Sequence, residues 1–426
     1  AASVSGRASP DVWCEMLRPY QQAAIDSARA AVQAGHRRVL LVGVTGCGKT
    51  SILAAIADAC IDRGGSVDWF VPRAEILDQS RARCPRANVM TYQAAIRRAL
   101  GNPTIQAFDE CHHAPSDSWR RVANPRALHV GATATPERGD GTGLGTMYDV
   151  IVPIISAREA TEQGFLVPCE VIAPERQLRP GELAQHPWAA YLAYCPGERC
   201  IVFSQSVDVA EEHAAQFRNA GIAAECIHGE SKDRAEILDR FRAGTTRVLT
   251  NCALLGEGVD IPEVDAVILA RGFGTAGSYL QAVGRALRLA AGKTRALVID
   301  LRGSSIAHGH PTRDRVYSLE GKGIRIAEPS DGESFCAICG ALKGEAAECM
   351  ECGATNERAF PRVVDVPLRV YARDALKGDD DEMKVQRLRK WISEARARGH
   401  KWQSALFKFK GVYQRPATAE EIRRAS

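Results

Sequence analysis

An eight-residue segment, GVTGCGKT at residues 43–50, constrains this chain more than any other part of it. It follows a short apolar run at residues 39–42 and precedes the alanine-containing start of an expected helix at residues 51–56. Strand, glycine loop and helix in this order are the context in which the pattern G-x-x-x-x-G-K-[ST] binds polyphosphates. Backbone N–H groups of the loop and the N-terminus of the helix converge there on phosphate oxygens. The segment predicts a nucleoside triphosphate site, with a chance glycine turn as the alternative.

The residue types within this loop predict separate tasks. We expect the Lys49 ammonium to reach the β- and γ-phosphates and the Thr50 hydroxyl to hold Mg²⁺. Cys47 stands at a variable position of the pattern and is not expected to act as a nucleophile. The loop residues predicted to contact ATP are Gly43, Thr45, Gly46, Cys47, Gly48, Lys49 and Thr50.

Length and composition limit the class of protein. A chain of 426 residues exceeds one ordinary core, so two or three domains are expected. Its 45% hydrophobic and 25% charged residues are typical of globular domains. No run of eighteen apolar residues occurs, and residues 1–10 lack the apolar stretch of a signal peptide and form an expected flexible lead-in. These features predict a cytoplasmic protein without a membrane partner, whose fourteen cysteines are thiols or metal ligands rather than disulfides.

A second chemical motif, Asp109-Glu110-Cys111-His112-His113, follows a strand-like run at residues 104–108. An aspartate at the carboxyl end of a strand is placed to hold Mg²⁺, and the adjacent glutamate can polarise an attacking water. The alternative is an acidic turn with two surface histidines. A zinc site at His112 and His113 is disfavoured because adjacent side chains at a strand end point apart.

Two shorter segments accompany these motifs. In LRPYQ at residues 17–21, the Gln21 amide can read both the donor and the acceptor edge of adenine, and Arg18 can lie over the base. In GATATP at residues 131–136, the hydroxyls of Thr133 and Thr135 can link a hydrolytic site to a second domain. A turn that simply ends a strand is the alternative for this second segment.

Strand-like and helix-like segments alternate along the chain, which predicts parallel sheets with crossover helices. A second alternating series begins near Val167 and ends with QAVGRALR at residues 281–288. Arg285 and Arg288 lie three residues apart, so on a helix they share a face. Two guanidinium groups are suited to stabilising a phosphoryl transition state, and a solvated basic helix is the alternative.

In their order along the chain, these motifs resemble those of superfamily 2 helicases of the DEAD/DEAH-box (DExH) type. The Asp-Glu-Cys-His-His form is similar to type III restriction subunits and to phage or prophage DNA helicases. The resemblance covers residues 17 to about 310. It implies an α/β chain with two tandem RecA-like domains, at residues 11–160 and 161–312, that bind ATP in the cleft between them. It also implies a bacterial cytoplasm, or the host cytoplasm for a phage protein.

The resemblance further implies roles for single residues. Asp260 would contact the nucleotide sugar, and Mg²⁺ would be held at Thr50 and Asp109. The implied catalytic residues are Lys49, Asp109, Glu110, Arg285 and Arg288. The implied coupling residues are His112, Thr133, Thr135 and Gln281, and the implied contacts to nucleic-acid phosphates are Arg73, Thr91, Ser204 and Thr250.

Beyond the motor, an expected linker at residues 313–335 leads to two C-x-x-C pairs, each followed by glycine and separated from each other by nine residues. Four thiolates at this spacing suit tetrahedral Zn²⁺, so residues 336–353 predict a small zinc knuckle. Disulfides and an iron site are the alternatives. The predicted ligands are Cys336, Cys339, Cys349 and Cys352.

The C-terminal region at residues 354–426 is expected to be helical, basic and aromatic. Between Lys384 and Arg415 lie ten Lys or Arg and one acidic residue, whereas the whole chain has a net charge of only +4. This asymmetry predicts a polyanionic partner, whose phosphates attract the cations and whose bases stack on aromatic rings. A pair of amphipathic helices that pack on the motor is the alternative. The expected contacts are Lys401, Trp402, Lys408 and Lys410.

These features together predict an ATP-dependent DNA helicase or translocase, with DNA favoured over RNA as the nucleic-acid partner. Two alternatives stay open at this stage. One is an RNA helicase, and the other is a nucleic-acid-binding scaffold with a weak motor. The intact set of Lys49, Asp109, Glu110 and Arg288 argues against the scaffold. The sequence indicates no particular protein partner.

Overall fold

The computed structural model describes residues 17–98, 100–113, 121–137, 142–179, 181–252, 261–315, 317–320, 334–335, 342–343, 361–364 and 366–371, with nine single positions between 385 and 424. The chain divides into two compact units, residues 1–370 and residues 371–426. Among the described residues, no helix has the length and apolar character needed to cross a membrane.

The first sheet occupies the N-terminal part of the first unit. Its strands are β1 (Arg38–Val42), β2 (Val67–Val71), β3 (Asn88–Thr91), β4 (Ile105–Asp109), β5 (Leu128–Thr133) and β6 (Val150–Pro153). All six run parallel in the order β3-β2-β4-β5-β1-β6. β2 and β4 are buried along their whole length, because crossover helices cover both faces of such a sheet.

Helices and a short turn connect these strands. They are α1 (Pro19–Gln33), α2 (Lys49–Ile61), α3 (Ala74–Arg83), α4 (Tyr92–Ile96) and a 3₁₀ turn at Cys111–His113. A further helix, α5 (Ala157–Glu162), follows β6 and begins at Ser156, whose hydroxyl accepts from the Glu159 N–H. Since the strands are parallel, the loops after β1, β4 and β5 meet at one edge of the sheet, and that is where ligands bind in open α/β folds.

The second half of the first unit carries a second, mostly parallel sheet. The strands of this half, in chain order and including those outside the sheet, are β7 (Cys169–Pro174), β8 (Glu182–Leu183), β9 (Cys200–Phe203), β10 (Ala224–Ile227), β11 (Val248–Asn251), β12 (Ala266–Leu269), β13 (Ala296–Asp300), β14 (Ser334–Phe335), β15 (Leu342–Lys343), β16 (Arg362–Val363) and β17 (Leu368–Val370). The main sheet has the order β10-β11-β9-β12-β13-β7-β17. β8 pairs with β16, and β14 pairs with β15.

The helices of this half are α6 (Pro187–Tyr194), α7 (Val207–Asn219), α8 (Arg234–Ala243), α9 (Ala276–Val283) and α10 (Ser304–His308). β17 joins the main sheet as an antiparallel edge strand beside β7. The expected end of the second domain at residue 312 therefore leaves out one strand of its sheet. A three-residue strand after a long segment carries no alternation pattern, so the sequence could not reveal it.

Packing in the core of the first sheet predicts that a side chain at Gly131 would lower the stability of the protein. A Cβ atom added to Gly131 would lie 2.3 Å from the Cζ and OH atoms of Tyr148, whose side chain is 1% exposed. Because that ring has no room to move, we expect Gly131→Ala to lower the free energy of unfolding by about 1–3 kcal/mol. Urea denaturation measures the change. Gly101→Ala is the matched control, since a Cβ there meets nothing within 4 Å, and equal stability losses in both variants would contradict this account.

A buried histidine in the second domain predicts a pH dependence of stability. Burial, with a smaller contribution from His186, lowers the pKa of His213 from 6.5 to about 4. The unfolded chain therefore binds more protons between those two values, and stability should fall as the pH falls from 6.5 to 4, by about 3 kcal/mol at most. Unfolding free energies at pH 7.5, 6 and 5 should show a shallower slope for His213→Asn. Parallel slopes for the two proteins would refute the assignment.

Candidate functional site

The phosphate loop is held in place by the segment that precedes α1. The Tyr20 hydroxyl and the Gln21 Nε2 both donate to the Cys47 carbonyl at 3.0 Å. Gly46 and Gly48 adopt φ values of +89° and +79°, a region that favours glycine. A Cβ on Gly48 would also lie 2.3 Å from Gln21 Nε2. The glycines are thus required by backbone conformation and by the close approach of the predicted adenine-reading residue.

The acidic pair stands opposite this loop. Asp109 ends β4, is 2% exposed, and accepts the Thr50 hydroxyl hydrogen bond at its Oδ2 over 3.1 Å. Glu110 has a φ of +42°, which is uncommon for a residue with a side chain, and its N–H donates to Asp109 Oδ1. This turn aims the Glu110 carboxylate at the loop, where its Oε1 lies 3.5 Å from Lys49 Nζ.

The charges at this site are incompletely balanced. Burial, together with the neighbouring Glu110 charge, raises the pKa of Asp109 to about 6, against the opposing effects of Lys49 and Thr50. Burial alone would lower the pKa of Lys49, but the nearby Glu110, Cys47 and Asp109 together outweigh it and raise the pKa. A buried carboxylate beside a hydroxyl, still short of positive charge, fits a hard cation such as Mg²⁺ that takes oxygen ligands.

A hydrogen-bonded chain joins the acidic motif to the second domain. Thr133 Oγ1 donates to the Thr135 carbonyl at 2.8 Å and lies 2.8 Å from His112 Nδ1. The single hydroxyl hydrogen of Thr133 is used in the bond to Thr135, so His112 Nδ1 donates to Thr133 Oγ1. His112 Nε2 is then unprotonated and accepts from Gln281 Nε2 at 3.3 Å. All four residues that the resemblance assigned to coupling therefore lie in one chain of contacts.

Helix α9 and the turn after it press against the first domain. A Cβ on Gly277 would lie 2.7 Å from Thr135 Oγ1, and one on Gly284 would lie 2.6 Å from Thr45 Cβ. Two close backbone approaches, one at each end of the helix, leave no space for side chains at these glycines. The second domain therefore meets the first at both ends of α9.

The two arginines of the second domain follow this contact. Arg285 is 7% exposed, and Arg288 Cγ would lie 3.4 Å from a Cβ built on Gly46 of the phosphate loop. The structure thus brings Arg288 to the loop that Lys49 and Thr50 belong to. The sequence predicted this convergence only through the order of the motifs.

An aromatic residue that the sequence reading missed completes this side of the loop. Phe165 follows α5, and its ring meets Tyr20 edge to face with centroids 4.9 Å apart. The Arg18 guanidinium lies 5.0 Å from the same ring centroid. Next to it, Leu166 Cδ2 would lie 3.6 Å from a Cβ on Gly46. An isolated phenylalanine in a connecting segment carries no sequence signal, so only the fold could find it.

The expected nucleic-acid contacts in the first domain lie at helix starts. Arg73 is the N-cap residue of α3. Thr91 is the N-cap residue of α4, and its hydroxyl accepts from the Ala94 N–H. Thr91 thus has a local structural role. Thr91 ends β3 and Arg73 follows β2, so both residues lie at the same edge of the first sheet.

The expected contacts in the second domain are buried. Ser204 and Thr250 are both 0% exposed. The Ser204 hydroxyl lies 2.9 Å from His213 Nδ1, and the Thr250 hydroxyl donates to the Ala210 carbonyl at 2.7 Å. Both hydroxyls therefore bond to α7 in this conformation, and contact of these two residues with a nucleic acid stays a prediction.

Several predicted residues lie outside the described part of the chain. They are Asp260, the four cysteines Cys336, Cys339, Cys349 and Cys352, and the tail residues Lys401, Trp402, Lys408 and Lys410. The described strands β14 and β15 pair antiparallel, and the first C-x-x-C-G segment stands between them in the sequence. The zinc site and the tail contacts remain predictions.

Two family descriptions match this chain. Residues 15–99 match the type III restriction enzyme, res subunit. Residues 189–290 match the helicase conserved C-terminal domain. The two matched segments contain the phosphate loop and the second-domain arginines, respectively.

Curated relatives come from a phage, a yeast and an archaeon. A 51.5 kDa protein of Lactococcus phage (isolate 7-9) is 27% identical over 301 residues, which are 62% of this chain and 66% of the relative. The putative ATP-dependent helicase IRC3 of Saccharomyces cerevisiae is 25% identical over 68% of this chain and 52% of the relative. The DNA 3'-5' translocase XPB2 of Sulfurisphaera tokodaii is 25% identical over 64% of this chain and 78% of the relative. The chain thus spans from half to two thirds of the first two relatives.

Among solved structures, a fragment of a putative HsdR subunit of a type I restriction enzyme from Vibrio vulnificus has a similar fold. The TM-score is 0.58 at 22% identity, over 68% of this chain and 65% of that one. The phosphate loop, the acidic motif, the facing arginines, the two matched segments and the named helicase relatives point to one class. The chain is similar to superfamily 2 helicases and to the res subunit of type III restriction enzymes.

Proposed function

We propose that this chain is an ATP-dependent DNA helicase or translocase that hydrolyses ATP to move along or remodel DNA. One observation carries the proposal. Asp109 and Glu110 face Thr50 and Lys49 of the phosphate loop, and Arg288 reaches the same loop from a second domain. A site completed by two domains is suited to couple hydrolysis to domain movement.

ATP and Mg²⁺ would supply the phosphoryl group and the positive charge that the buried Asp109 lacks. The loop glycines and Lys49 would bind phosphates, with Thr50 and Asp109 oriented toward the ion. Glu110, aimed by its unusual backbone turn, would accept a proton from the attacking water. Arg285 and Arg288 would stabilise charge on the transferred group from the opposite domain. Gln21 and Arg18 would read adenine, and Asp260 would contact the sugar.

The series of contacts among His112, Thr133, Thr135 and Gln281 would couple changes at the nucleotide site to the second domain. His112 is the central member, because its two ring nitrogens contact residues of different domains. Its Nδ1 also lies 3.6 Å from Glu110 Oε2. A shift of Glu110 on hydrolysis would therefore reach Gln281 through a single side chain.

The remaining parts of the proposal lie in the C-terminal half. A Zn²⁺ held by Cys336, Cys339, Cys349 and Cys352 would cross-link residues 336–353, directly after the paired strand β14. Lys401, Trp402, Lys408 and Lys410 would bind the nucleic acid, in line with the concentration of positive charge there. DNA is favoured over RNA because curated relatives such as XPB2 are named for action on DNA.

The deciding experiment measures ATP turnover at fixed low salt, alone and with single-stranded, duplex or forked DNA, or with RNA. We expect stimulation by DNA that disappears in Lys49→Ala. Stimulation by RNA alone would replace the proposal with an RNA helicase. ATP binding without turnover under every condition would favour a scaffold with a weak motor.

A further inference from the structure

One edge of the second sheet brings together three neighbouring strand ends. β11, β9 and β12 run parallel and adjacent, with Asn251 opposite Phe203 and Phe203 opposite Leu269. The chain continues from these ends into Cys252, Ser204 and the loop that starts at Ala270. Because parallel strands end at one edge, these continuations lie in a row.

A cation stands at the end of this row. Arg271 follows β12 directly, and its guanidinium carbon lies 4.5 Å from the centroid of the Phe273 ring. Its Nε atom is enclosed and makes no hydrogen bond to any residue that the structure describes. Burial lowers the pKa of Arg271, and among the described residues Cys252 opposes that shift.

Three other arginines of the same domain have carboxylate partners, which Arg271 lacks among the described residues. Arg199 lies near Asp265, Arg240 pairs with Glu225, and Arg295 pairs with Glu170 and Glu198. Within the described ranges, Arg271 has no carboxylate at ion-pair distance. A partly buried guanidinium loses hydration, and a ring face compensates for only part of that loss. An anion that accepts two parallel N–H bonds would compensate for the rest, and phosphate has this geometry.

Two phosphates are available to such a protein, one from the nucleotide and one from the nucleic acid. Arg271 precedes the N-terminal end of α9, and that end of the helix contacts Thr135. Gly284 and Arg288 follow the C-terminal end of α9 and contact the phosphate loop. Eight helical residues separate these ends by about 12 Å. The phosphate loop already has Arg288, so the geometry favours a different phosphate for Arg271.

We propose that Arg271 binds a backbone phosphate of the nucleic-acid strand and is the main side-chain contact of the second domain at this edge. It stands where Ser204 and Thr250 were expected to act, and their hydroxyls are bonded inside the domain. The inference rests on the proposed function, since it needs a nucleic-acid ligand.

The test compares the full chain with Arg271→Met, which keeps the apolar stem and removes the charge. Arg240→Met is the matched control, because it removes the same charge from an exposed ion pair of the same domain. The dissociation constant for labelled single-stranded DNA is measured without nucleotide at several salt concentrations. We expect Arg271→Met to weaken binding by about tenfold to a hundredfold and to lower the salt slope by about one. The control should change neither.

Further measurements separate the competing explanations. The KM for ATP in Arg271→Met should stay unchanged, and a raised KM with unaltered DNA binding would overturn the inference in favour of the nucleotide phosphate. Melting temperatures identify a variant that fails to fold, and Arg271→Lys then replaces it, with an expected partial loss of affinity. Equal affinity and salt slope in folded variants would also overturn the inference. An unmodified chain that binds no nucleic acid would refute the proposed function itself.

Discussion

Arg288→Ala is expected to slow ATP turnover by about 10³–10⁵ while the protein stays folded and binds ATP. The reason is positional, because Arg288 is brought to Gly46 of the phosphate loop from the second domain. A guanidinium at that point would stabilise the charge that develops on the transferred phosphoryl group. In the ground state the loop and Lys49 would still hold the nucleotide. Steady-state turnover and equilibrium binding of a nucleotide analogue measure the two effects separately.

Arg295→Ala is the matched control for this variant. Arg295 belongs to the same domain but pairs with Glu170 and Glu198, away from the loop. Its replacement removes one positive charge and should leave turnover within about a factor of two, since exposed ion pairs contribute little. Turnover lost equally in both variants would show that domain stability, not transition-state stabilisation, was affected.

The second large effect is expected at Glu110. Glu110→Gln should reduce turnover by about 10²–10⁴, the usual contribution of a positioned general base. The amide keeps the size of the side chain but cannot accept the proton of the attacking water. ATP binding should persist or tighten, because Lys49 loses its carboxylate partner at 3.5 Å and becomes available to phosphates. Single-turnover hydrolysis with a parallel binding titration tests both parts.

Glu162→Gln is the control for Glu110→Gln. Glu162 is an exposed residue of α5 that pairs with Arg158. The Glu162→Gln variant should hydrolyse ATP at the same rate as the unmodified protein. Normal turnover in Glu110→Gln itself would remove the assignment of a base and would leave Asp109 as the remaining carboxylate of the motif.

Much of the fold and of the nucleotide site could be predicted from the sequence. The loop at residues 43–50 lies between a strand and a helix as its pattern requires, and β1 and β4 lie within one residue of the runs expected at residues 39–42 and 104–108. These predictions depend on short-range spacing, which the chain carries whatever its tertiary structure. The coarse class followed from the order of the motifs.

Other features could not be predicted. β17 joins a sheet far from its neighbours in sequence, and Phe165 meets Arg18 and Tyr20 only because α5 folds back on the loop. The resemblance implies a nucleic-acid contact at Ser204, but it does not indicate that the Ser204 hydroxyl lies inside the domain beside His213. In each case the deciding contact joins residues that no local pattern relates.

The sequence by itself determined the chemistry available to this protein, because residue type and spacing decide which groups can hold phosphate and move a proton. Tertiary structure alone decided which of these groups meet. The positive φ of Glu110 aims its carboxylate at Lys49, and α9 carries Arg288 to the phosphate loop. Packing also enclosed Ser204 and Thr250 and left Arg271 at the sheet edge without a described carboxylate. Burial and pairing depend on long-range contacts, so the folded chain alone assigns each charged group its partner.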